Sequence, residues 1–308
     1  MRKRLSTTIV MATYNGARFV EEQLLSIINQ SRCPDEIIIM DDGSTDDTVR
    51  IINKILQSCS LNCRLFVNEN NIGWRKNFIN GFHHATGDVI FCADQDDIWC
   101  SDKLEDMVTI LEENDKVNVL ASNLIPLYEQ GALKIADFYI NDYGKEYLAK
   151  VNLLNEGLTV FRPGCTVCFR KELLCYIDLI WMEKLAHDEV LWALGLVTDS
   201  LYIVNKPLIQ FRRHGSNNSP TNEKTIKRRL ELAEIDYLKL SNLINNASVI
   251  GINHTNLAFL NTLKEFQVER ISVFNKRSII LGIKLLKHKR LYGATKSWLG
   301  DMFSLLKG

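Results

Sequence analysis

Apolar residues in the first hundred positions form short continuous runs, separated by longer stretches in which they recur every three or four residues. The short runs are rich in Ile, Val, Met and Phe, which predicts buried β-strands. These runs occupy residues 7–12, 36–40, 64–67 and 88–93. The stretches between them have helical spacing and begin near Gly16, Val49 and Trp74. This alternation predicts βαβ units, and therefore an α/β fold with a mostly parallel sheet.

The pattern is less regular after residue 100. The predicted helices and strands of this part are 103–113, 117–121, 160–169, 187–196 and 201–204. Two segments, 126–156 and 212–218, are polar and irregular, which predicts loops. From about residue 225 to the end the chain has helical spacing, with no internal repeat or low-complexity tract. We therefore expect a sheet-containing region followed by a helical one.

A cluster of polar residues follows three of the predicted strands. Residues 13–15 follow the first strand, residues 41–42 the second, and residues 94–97 the fourth. Ligands of parallel α/β sheets bind beyond the carboxyl ends of the strands. We therefore expect the three clusters to converge on one edge of the sheet and to form one site.

The composition excludes several classes of protein. Hydrophobic residues make up 46% and charged residues 24% of the 308 residues, which is typical of a globular protein. The formal net charge is zero, so nothing draws the whole molecule to nucleic acid or to an anionic surface. No apolar run reaches the roughly 18 residues that predict a membrane span.

The N-terminus and the cysteines predict a cytoplasmic protein. Residues 1–5 are basic, but the apolar run that follows is too short and too polar for a signal peptide. Without such a leader, the eight cysteines are expected to be reduced thiols. Cys165 and Cys168 have the spacing of a metal or redox pair, but no second, similarly spaced pair accompanies them. We interpret both as packing residues.

The segment "FCADQDDIW" ends an apolar strand in three carboxylates, Asp94, Asp96 and Asp97. Like charges at this spacing repel and raise one another's pKa. Either the loop is solvated, with one carboxylate capping the next helix, or a cation lies among them. In a D-x-D turn, alternate carboxylates can face one divalent cation whose other ligands are water and phosphate. A phosphatase of the haloacid-dehalogenase type is disfavoured, because Ile-Trp follows where those enzymes carry Thr or Val.

The segment "DDGSTDDT" follows the second predicted strand. Ser44 or Thr45 is placed to cap the next helix, and the two aspartates after them favour its first turn electrostatically. This interpretation leaves Asp41 and Asp42 unexplained. At the end of a strand, Asp42 is placed to accept hydrogen bonds from a base or a ribose.

Four segments in this order within one hundred residues resemble the family 2 glycosyltransferases. They are "VMATYNGARFVEEQLLSI", "IIIMDDGSTDDT", "NIGWRKNF" and "GDVIFCADQDDIW". Two later segments, "GCTVCFRKELL" and "HDEVLW", fit as well. The resemblance covers about residues 5–220. It is strongest toward bacterial polysaccharide enzymes with a DQDDIW signature, among them rhamnosyl-, glucosyl- and galactosyltransferases.

The resemblance implies the GT-A fold, a Rossmann-like nucleotide-binding architecture on a mixed, mostly parallel sheet. It implies a catalytic domain over residues 1–220 and a helical C-terminal region over residues 221–308. Within the catalytic domain, residues 1–99 would bind the nucleotide-sugar and residues 100–220 the acceptor.

The matching positions also imply site residues. Those expected to bind the donor are Thr13, Tyr14, Asn15, Asp42, Lys76, Asp94 and Arg212. Those expected to bind Mn²⁺ or Mg²⁺ are Asp96, Asp94 and His214. Asp96 is expected to be the more direct metal ligand of the D-x-D pair. Lys76 stands where many members carry Arg before the Asn.

The same comparison makes Asp188 the candidate catalytic base, because it matches the Asp of an E-D pair in the family. His187 replaces the Glu of that pair, and two roles stay open for it, a helix-start residue or an acceptor contact. A lone loop histidine such as His214 is usually solvated, but two arginines beside it favour contact with the diphosphate or the metal. We expect Trp99 and Trp192 to be packing residues rather than sugar-stacking ones.

These assignments predict an inverting mechanism. The cation would neutralise the charge that grows on the diphosphate as the glycosidic bond breaks. Asp188 would take the proton from the acceptor hydroxyl on the opposite face of the sugar. No second carboxylate is assigned as a covalent nucleophile, so direct displacement with inversion is expected.

The last thirty residues combine apolar positions at helical spacing with interleaved lysines. One interpretation is a set of amphipathic helices that pack on the catalytic domain. A second is a basic, aromatic-bearing face on an anionic leaflet, and a third is a dimer interface. Similar enzymes act on lipid-linked acceptors, so peripheral attachment to the inner face of the cell membrane is also expected.

The predicted function is transfer of a sugar from UDP-hexose or dTDP-rhamnose to a hydroxyl of a saccharide acceptor in bacterial surface polysaccharide synthesis. The alternative is a non-catalytic sugar-nucleotide-binding or scaffold protein on the same fold, against which the D-x-D pair and Asp188 argue. A nucleotidyltransferase is disfavoured because no Gly-rich basic loop follows the first strand.

Overall fold

The computed structural model describes residues 4–215, 225–292 and 295–307. Within these ranges one sheet contains all the strands. They are β1 (Thr7–Thr13), β2 (Glu36–Asp41), β3 (Cys63–Val67), β4 (Val89–Asp94), β5 (Ile98–Trp99), β6 (Val119–Tyr128), β7 (Leu148–Lys150), β8 (Val167–Arg170) and β9 (Leu201–Arg213).

The strands follow the order β3-β2-β1-β4-β8-β6-β9-β5, and β7 pairs with β9. The first four strands of this order pair in parallel. β8 is antiparallel to both of its neighbours, β6 and β9 are parallel, and β5 and β7 are antiparallel to β9. The sheet is therefore mixed, as predicted. Its strand order reverses direction between β1 and β4, which is where ligands bind in α/β sheets.

Helices cover both faces of the sheet and continue beyond its last strand. They are α1 (Val20–Ile28), α2 (Thr48–Ser58), α3 (Trp74–His84), α4 (Lys103–Glu113), α5 (Leu153–Glu156), α6 (Leu174–Ile180), α7 (His187–Val197), α8 (Ile226–Asn245), α9 (Ala247–Ile250), α10 (His254–Asn275), α11 (Ile279–Lys284) and α12 (Thr295–Lys307).

Two hydrophobic cores lie on opposite faces of the sheet, because successive residues of a strand point in opposite directions. On β1, Ile9 and Met11 join the core formed with α1, α2 and α4. Val10, between them, joins the core formed with α3, α6 and α7. All three side chains are fully buried, so the central strand fits its continuously apolar sequence.

The third core lies among the C-terminal helices. It includes Ala233 of α8, Phe266 of α10 and Leu305 of α12. Buried Asp301 lies beside this core and accepts hydrogen bonds from Arg229, at 3.1 Å, and from Arg270, at 3.0 Å. No helix in the described part of the chain is both long and apolar enough to cross a membrane.

The loop predicted over 126–156 contains the end of β6, all of β7 and α5, because these residues pair with or pack on the sheet. Three further local predictions differ from the structure. Arg212 and Arg213, predicted in a loop, end the thirteen-residue strand β9, which pairs along its length with β6. The strand predicted over 160–169 is shorter, because a 3₁₀ turn at Gly164–Thr166 precedes β8. The rest of the predicted polar loop, residues 216–218, lies outside the described residues.

The third difference concerns the start of α2. Neither Ser44 nor Thr45 caps this helix, which begins at Thr48. Asp46 Oδ1 accepts the Thr48 amide at 3.0 Å instead. Ser44 donates its hydroxyl to Asp41 at 2.6 Å, so its side chain stabilises the strand end rather than the helix.

Candidate active site

The carboxyl ends of β1 and β2 are joined by direct hydrogen bonds. The Thr13 hydroxyl donates to Asp41 Oδ2 at 2.7 Å, and the Asp42 amide donates to the Thr13 carbonyl at 2.8 Å. Asp41 also accepts the Ser44 amide at 2.8 Å. Thr13 is therefore buried at the end of β1, where its hydroxyl holds the Asp41 side chain in place.

Tyr14 and Asn15 link the three polar clusters. The side-chain amide of Gln95, in the acidic turn, bonds the Tyr14 backbone in both directions, at 2.8 and 3.0 Å. Asn15 has φ 47° and accepts the Thr45 amide at 2.8 Å through its side-chain oxygen. The Tyr14 ring is 43% exposed and lies open to a ligand. The predicted convergence of the clusters on one edge is thus present in the structure.

Asp42 is buried and faces the loop that leads into α3. Its carboxylate accepts the amides of Ile72 and Gly73 at 2.8 and 2.9 Å, and the side-chain amide of Asn68 at 2.9 Å. These three hydrogen bonds hold the Asp42 side chain in place. Asp42 therefore orders the loop, and its role toward a nucleoside stays a prediction.

Two adjacent cations at the start of α3 have different surroundings. Lys76 is half exposed and lies 3.8 Å from Glu183. Arg75 packs 4.5 Å from the centre of the Trp74 ring, and its buried Nε has no hydrogen-bond partner among the described residues. Its charge also lowers the pKa of Asp188. Arg75, which the sequence analysis did not select, thus acts electrostatically on the candidate base.

The acidic turn follows β4. Asp94, Asp97 and Cys165 bring their oxygen and sulfur atoms within 4.8 Å of one another. Burial, together with the charges of Asp96 and Asp188, raises the pKa of Asp94 to about 7. Burial, together with the charges of Asp96 and Asp94, raises the pKa of Asp97 well above its ordinary value. A bound cation would relieve this repulsion, so the carboxylates fit a divalent metal.

Asp96 lies beside His214, and both were predicted metal ligands. His214 Nε2 is 2.8 Å from Asp96 Oδ2, and the imidazole packs 4.6 Å from the ring of Phe19. These two side chains offer a carboxylate oxygen and an imidazole nitrogen at one place, and both are metal ligands in proteins. The structure therefore brings Asp96 and His214 together, whereas Asp94 clusters with Asp97 and Cys165, and the predicted set of three metal ligands stays a prediction.

Arg212 attaches β9 to the acidic turn. Its amide donates to Asp97 Oδ1 at 2.9 Å, and its Nε donates to the Asp96 carbonyl at 2.8 Å. Its guanidinium also pairs with Glu22 of α1. Only 11% of the side chain is exposed. Arg212 therefore positions the turn, and its predicted diphosphate contact stays a prediction.

A lysine lies buried behind the acidic turn, and the sequence analysis did not select it. Lys103 Nζ donates to the Cys165 carbonyl at 2.9 Å and lies 4.4 Å from the centre of the Trp99 ring. Burial lowers the pKa of Lys103, whereas nearby Asp97 opposes that change. Its charge lowers the pKa of Asp94 and so partly offsets the repulsion within the turn. Trp99 is buried, as predicted for a packing residue.

Asp188 lies in the first turn of α7. Its Oδ1 accepts the Glu189 amide at 2.9 Å. Burial, and then the charge of Glu189, raises the pKa of Asp188 to about 7. Because Asp188 in turn raises the pKa of Asp94, the candidate base and the acidic turn belong to one electrostatic unit.

His187 points away from this unit into the core. Only 3% of it is exposed, and it stacks 3.8 Å from the ring of Phe78. Neither ring nitrogen has a hydrogen-bond partner among the described residues, and burial lowers the pKa of His187 to about 3. Gly164 packs closely against this ring, since a Cβ added at Gly164 would lie only 2.6 Å from His187 Nε2. Of the two roles left open, the buried ring supports packing at the helix start over direct acceptor contact.

Tyr139, which the sequence analysis did not select, is influenced by the charge of the candidate base Asp188. It lies in the predicted loop, in the 3₁₀ turn Asp137–Tyr139. Burial and the charge of Asp188 raise the pKa of Tyr139. A phenol held near the candidate base on this side could contact an acceptor. Such a residue carries no local sequence signal, because its loop position depends on the whole fold.

Comparison with known proteins agrees with this geometry. The family model described as "Glycosyl transferase family 2" matches residues 8–176. The dTDP-rhamnosyl transferase RfbG of Shigella flexneri is 32% identical over 224 residues, which cover 69% of this chain and 74% of RfbG.

Two solved structures share the fold at low identity. The S. aureus TarS fragment 1–349 in complex with UDP superposes with a TM-score of 0.64 at 19% identity, covering 98% of this chain and 92% of that one. The mannosyltransferase PcManGT from Pyrobaculum calidifontis, in complex with GDP-Man and Mn²⁺, has a TM-score of 0.53 at 16% identity. The superposition covers 99% of this chain and 86% of PcManGT.

Proposed function

Since this chain belongs to glycosyltransferase family 2, and is thus a glycosyltransferase that uses a nucleotide-sugar donor, we propose that it is an inverting, metal-dependent enzyme. Its donor would be a UDP-hexose or dTDP-rhamnose, and its acceptor a saccharide hydroxyl. RfbG, which is named a dTDP-rhamnosyl transferase, supports the rhamnose donor. TarS, solved with UDP-GlcNAc, supports the uridine donor.

One observation carries this proposal. The acidic turn after β4, His214 at the end of β9 and Asp188 at the start of α7 converge beyond the carboxyl ends of the parallel strands. We propose that residues 1–99 form the donor half of a catalytic domain that ends near residue 220, and residues 100–220 its acceptor half.

Asp94, Asp96 and His214 would hold the metal, because the Asp96–His214 pair belongs to the same acidic turn as the cluster of Asp94, Asp97 and Cys165. Bound Mn²⁺ or Mg²⁺ neutralises negative charge that develops on a leaving diphosphate. The Mn²⁺ in the PcManGT complex supports this assignment. Arg212 keeps the turn in position through the Asp96 carbonyl.

Asp188 would accept the proton of the acceptor hydroxyl as that oxygen attacks the anomeric carbon. A carboxylate with a pKa of about 7 is ionised in a useful fraction at neutral pH and is still basic enough to take a proton. Arg75 stabilises the ionised form. With one base and direct displacement, the anomeric configuration inverts.

Tyr14, Asn15, Asp42 and Lys76 would line the donor edge together with Thr13. The open Tyr14 ring is placed to contact a base, and Lys76 is exposed enough to reach a phosphate. We also infer that the acceptor is a lipid-linked saccharide of a bacterial surface polysaccharide such as O-antigen. In that case the enzyme works at the cytoplasmic face of the cell membrane.

The test uses purified protein, Mn²⁺, and a panel of UDP-sugars and dTDP-rhamnose, with release of the nucleoside diphosphate as the readout. We expect turnover of one donor, and a loss of about 10³-fold in Asp188→Asn with donor binding retained. The matched control is Glu189→Gln, which changes the neighbouring carboxylate and should keep most of the activity.

The outcomes separate the two candidate functions. Turnover by Asp188→Asn at the wild-type rate would refute the assignment of the base. Binding of a nucleotide-sugar by the wild-type protein, without turnover of any donor, would favour the non-catalytic scaffold on this fold instead.

A further inference from the structure

Positive charge is concentrated in the last part of the chain. Residues 276–308 contain eight Lys and Arg residues and a single acidic residue, Asp301. The whole chain has a formal charge of zero, so the remaining residues carry the matching excess of negative charge. Such asymmetry indicates a local binding surface for an anionic partner.

The single acidic residue, Asp301, does not neutralise the surface charge of this segment. Asp301 is buried and accepts hydrogen bonds from Arg229, Arg270 and Tyr292, the last at 3.0 Å. Two of these partners belong to α8 and α10, which precede the basic segment. The charge of Asp301 is therefore balanced by cations in the interior of the helical region.

Several of the cations are open to solvent. Lys284, Lys289 and Arg290 are exposed, and none of them forms an ion pair with the residues that the structure describes. Lys287 is also exposed but pairs with Glu269 of α10 at 2.8 Å.

Large apolar side chains are exposed among these cations. On α11, Ile280 is 70% and Ile283 is 50% exposed, and Ile279 of the same helix and Leu286 just after it are exposed as well. Exposed residues on α12 recur at helical spacing. They are Leu299, Phe303 and Leu306. Scattered single apolar residues on a surface are normal, but two aligned stripes indicate an interaction site.

The two stripes lie side by side. A Cβ added to Gly282 of α11 would lie 2.7 Å from Met302 Sδ and 3.2 Å from a Leu305 methyl group, so the helices touch there. The Trp298 indole donates to the Gly282 carbonyl at 2.9 Å. The exposed side chains of these two touching helices, with Lys284, Lys289 and Arg290, are called the C-terminal face.

We propose that the C-terminal face binds the surface of an anionic lipid bilayer. The apolar stripes would enter the interfacial region while Lys284, Lys289 and Arg290 contact lipid phosphates. A symmetric dimer through this face is disfavoured, because a two-fold axis would oppose the same cations. The inference deepens the proposed lipid-linked acceptor, but it depends on this face alone and not on the transfer reaction.

The experiment measures co-sedimentation of the full chain with phosphatidylcholine vesicles, with and without phosphatidylglycerol. We expect binding to the mixed vesicles that weakens at high salt, and little binding to phosphatidylcholine alone. The variant Lys284→Glu/Lys289→Glu/Arg290→Glu should bind at least about tenfold more weakly. The variant Ile280→Ser/Ile283→Ser should also bind more weakly, without losing its salt dependence.

The matched control is Lys54→Glu/Lys116→Glu/Lys145→Glu, which makes the same change in net charge at exposed positions elsewhere. It should bind vesicles as the wild type does. Equal binding by the wild type and the face variants, or no binding to anionic vesicles, would overturn the proposal. A wild-type dimer that Ile280→Ser/Ile283→Ser dissociates would also overturn it, since the face would then join two copies.

Melting temperature and nucleotide-sugar turnover of each variant keep the two proposals separate. Face variants that fold and turn over donor but do not bind vesicles support both. Vesicle binding by a protein that turns over no donor supports the membrane proposal and counts against the proposed function.

Discussion

At the scale of single residues, Asp188 and His187 are neighbours in the chain with opposite surroundings. Adjacent positions of a helix are rotated by about 100°, so the first turn of α7 directs one side chain to the site and the other to the core. Burial favours the neutral form of both groups. It therefore raises the pKa of the carboxyl to about 7 and lowers that of the imidazole to about 3.

The raised pKa of Asp188 predicts a pH dependence of activity. The base must be ionised to take a proton, so kcat/KM at saturating Mn²⁺ should fall about tenfold for each pH unit well below pH 7. The measurement is the steady-state rate across pH. Glu189→Gln removes a charge that raises the pKa of Asp188, so its profile should shift to lower pH. A rate independent of pH in this range would exclude Asp188 as the base.

The lowered pKa of His187 predicts acid sensitivity of the fold. Between the folded-state pKa of about 3 and the unfolded value of 6.5, only the unfolded chain binds the proton, so stability falls as pH decreases below 6.5. The loss should be about 2 kcal/mol at about pH 5. Urea unfolding of His187→Leu should lack this part of the loss.

The exposed histidine His254 supplies the control for this prediction. His254→Gln should lose stability with acid as the wild type does. The prediction would be contradicted if His187→Leu and the wild type showed the same pH dependence of unfolding.

At the scale of elements, the site depends on how closely helices approach the sheet. α3 carries Arg75 and Lys76 at its first turn and lies against β1 and β2 at Gly81. A Cβ at Gly81 would lie 2.5 Å from Val10 Cγ1 and 2.8 Å from Met40 Cγ. These distances leave no room for a larger side chain unless the helix moves, so glycine is required at position 81.

This contact predicts the effect of a methyl group. Gly81→Ala should lower the free energy of unfolding by about 1–3 kcal/mol, because overpacking outweighs the gain in helix propensity. Asn80→Ala, at the partly exposed preceding position, should change it by less than about 1 kcal/mol. Denaturant unfolding of both variants tests this, and an equally stable Gly81→Ala would show that α3 can move away from the sheet.

At the scale of the whole molecule, one end of the sheet collects acidic groups and the last helices collect basic ones. The acidic turn is compensated from behind by Lys103 and attached to β9 by Arg212. In the basic segment, Asp301 pairs with Arg229 and Arg270 of the preceding helices, and Lys287 pairs with Glu269 of α10. This segregation places the donor site and the C-terminal face in regions of opposite charge.

The acidic site predicts joint stabilisation by metal and nucleotide. A ligand that binds only the folded state raises the melting temperature, so Mn²⁺ with the correct nucleoside diphosphate should raise it more than either alone. Asp96→Ala should remove the effect of the metal, and EDTA should reverse it. Asp115→Ala, at an exposed position, is the control. A metal-induced shift that persists in Asp96→Ala would place the ion elsewhere.

The sequence by itself determined the βαβ alternation, the strand-end clusters and the D-x-D turn. These features are local, because strand and helix periodicity and the polar residues after each strand can be identified within a few positions. Asp94, Asp96 and Asp188 were identified in the same way, from short segments that resemble a family.

Only the tertiary structure decided which of these side chains face one another. Asp96 meets His214 across 118 positions of the chain, and Lys103 meets Cys165 across 62. Contacts at such separation depend on how strands from distant parts of the chain pair, which no local pattern encodes. For the same reason the burial of His187 and the nearness of Arg75 to Asp188 became visible only in the folded molecule.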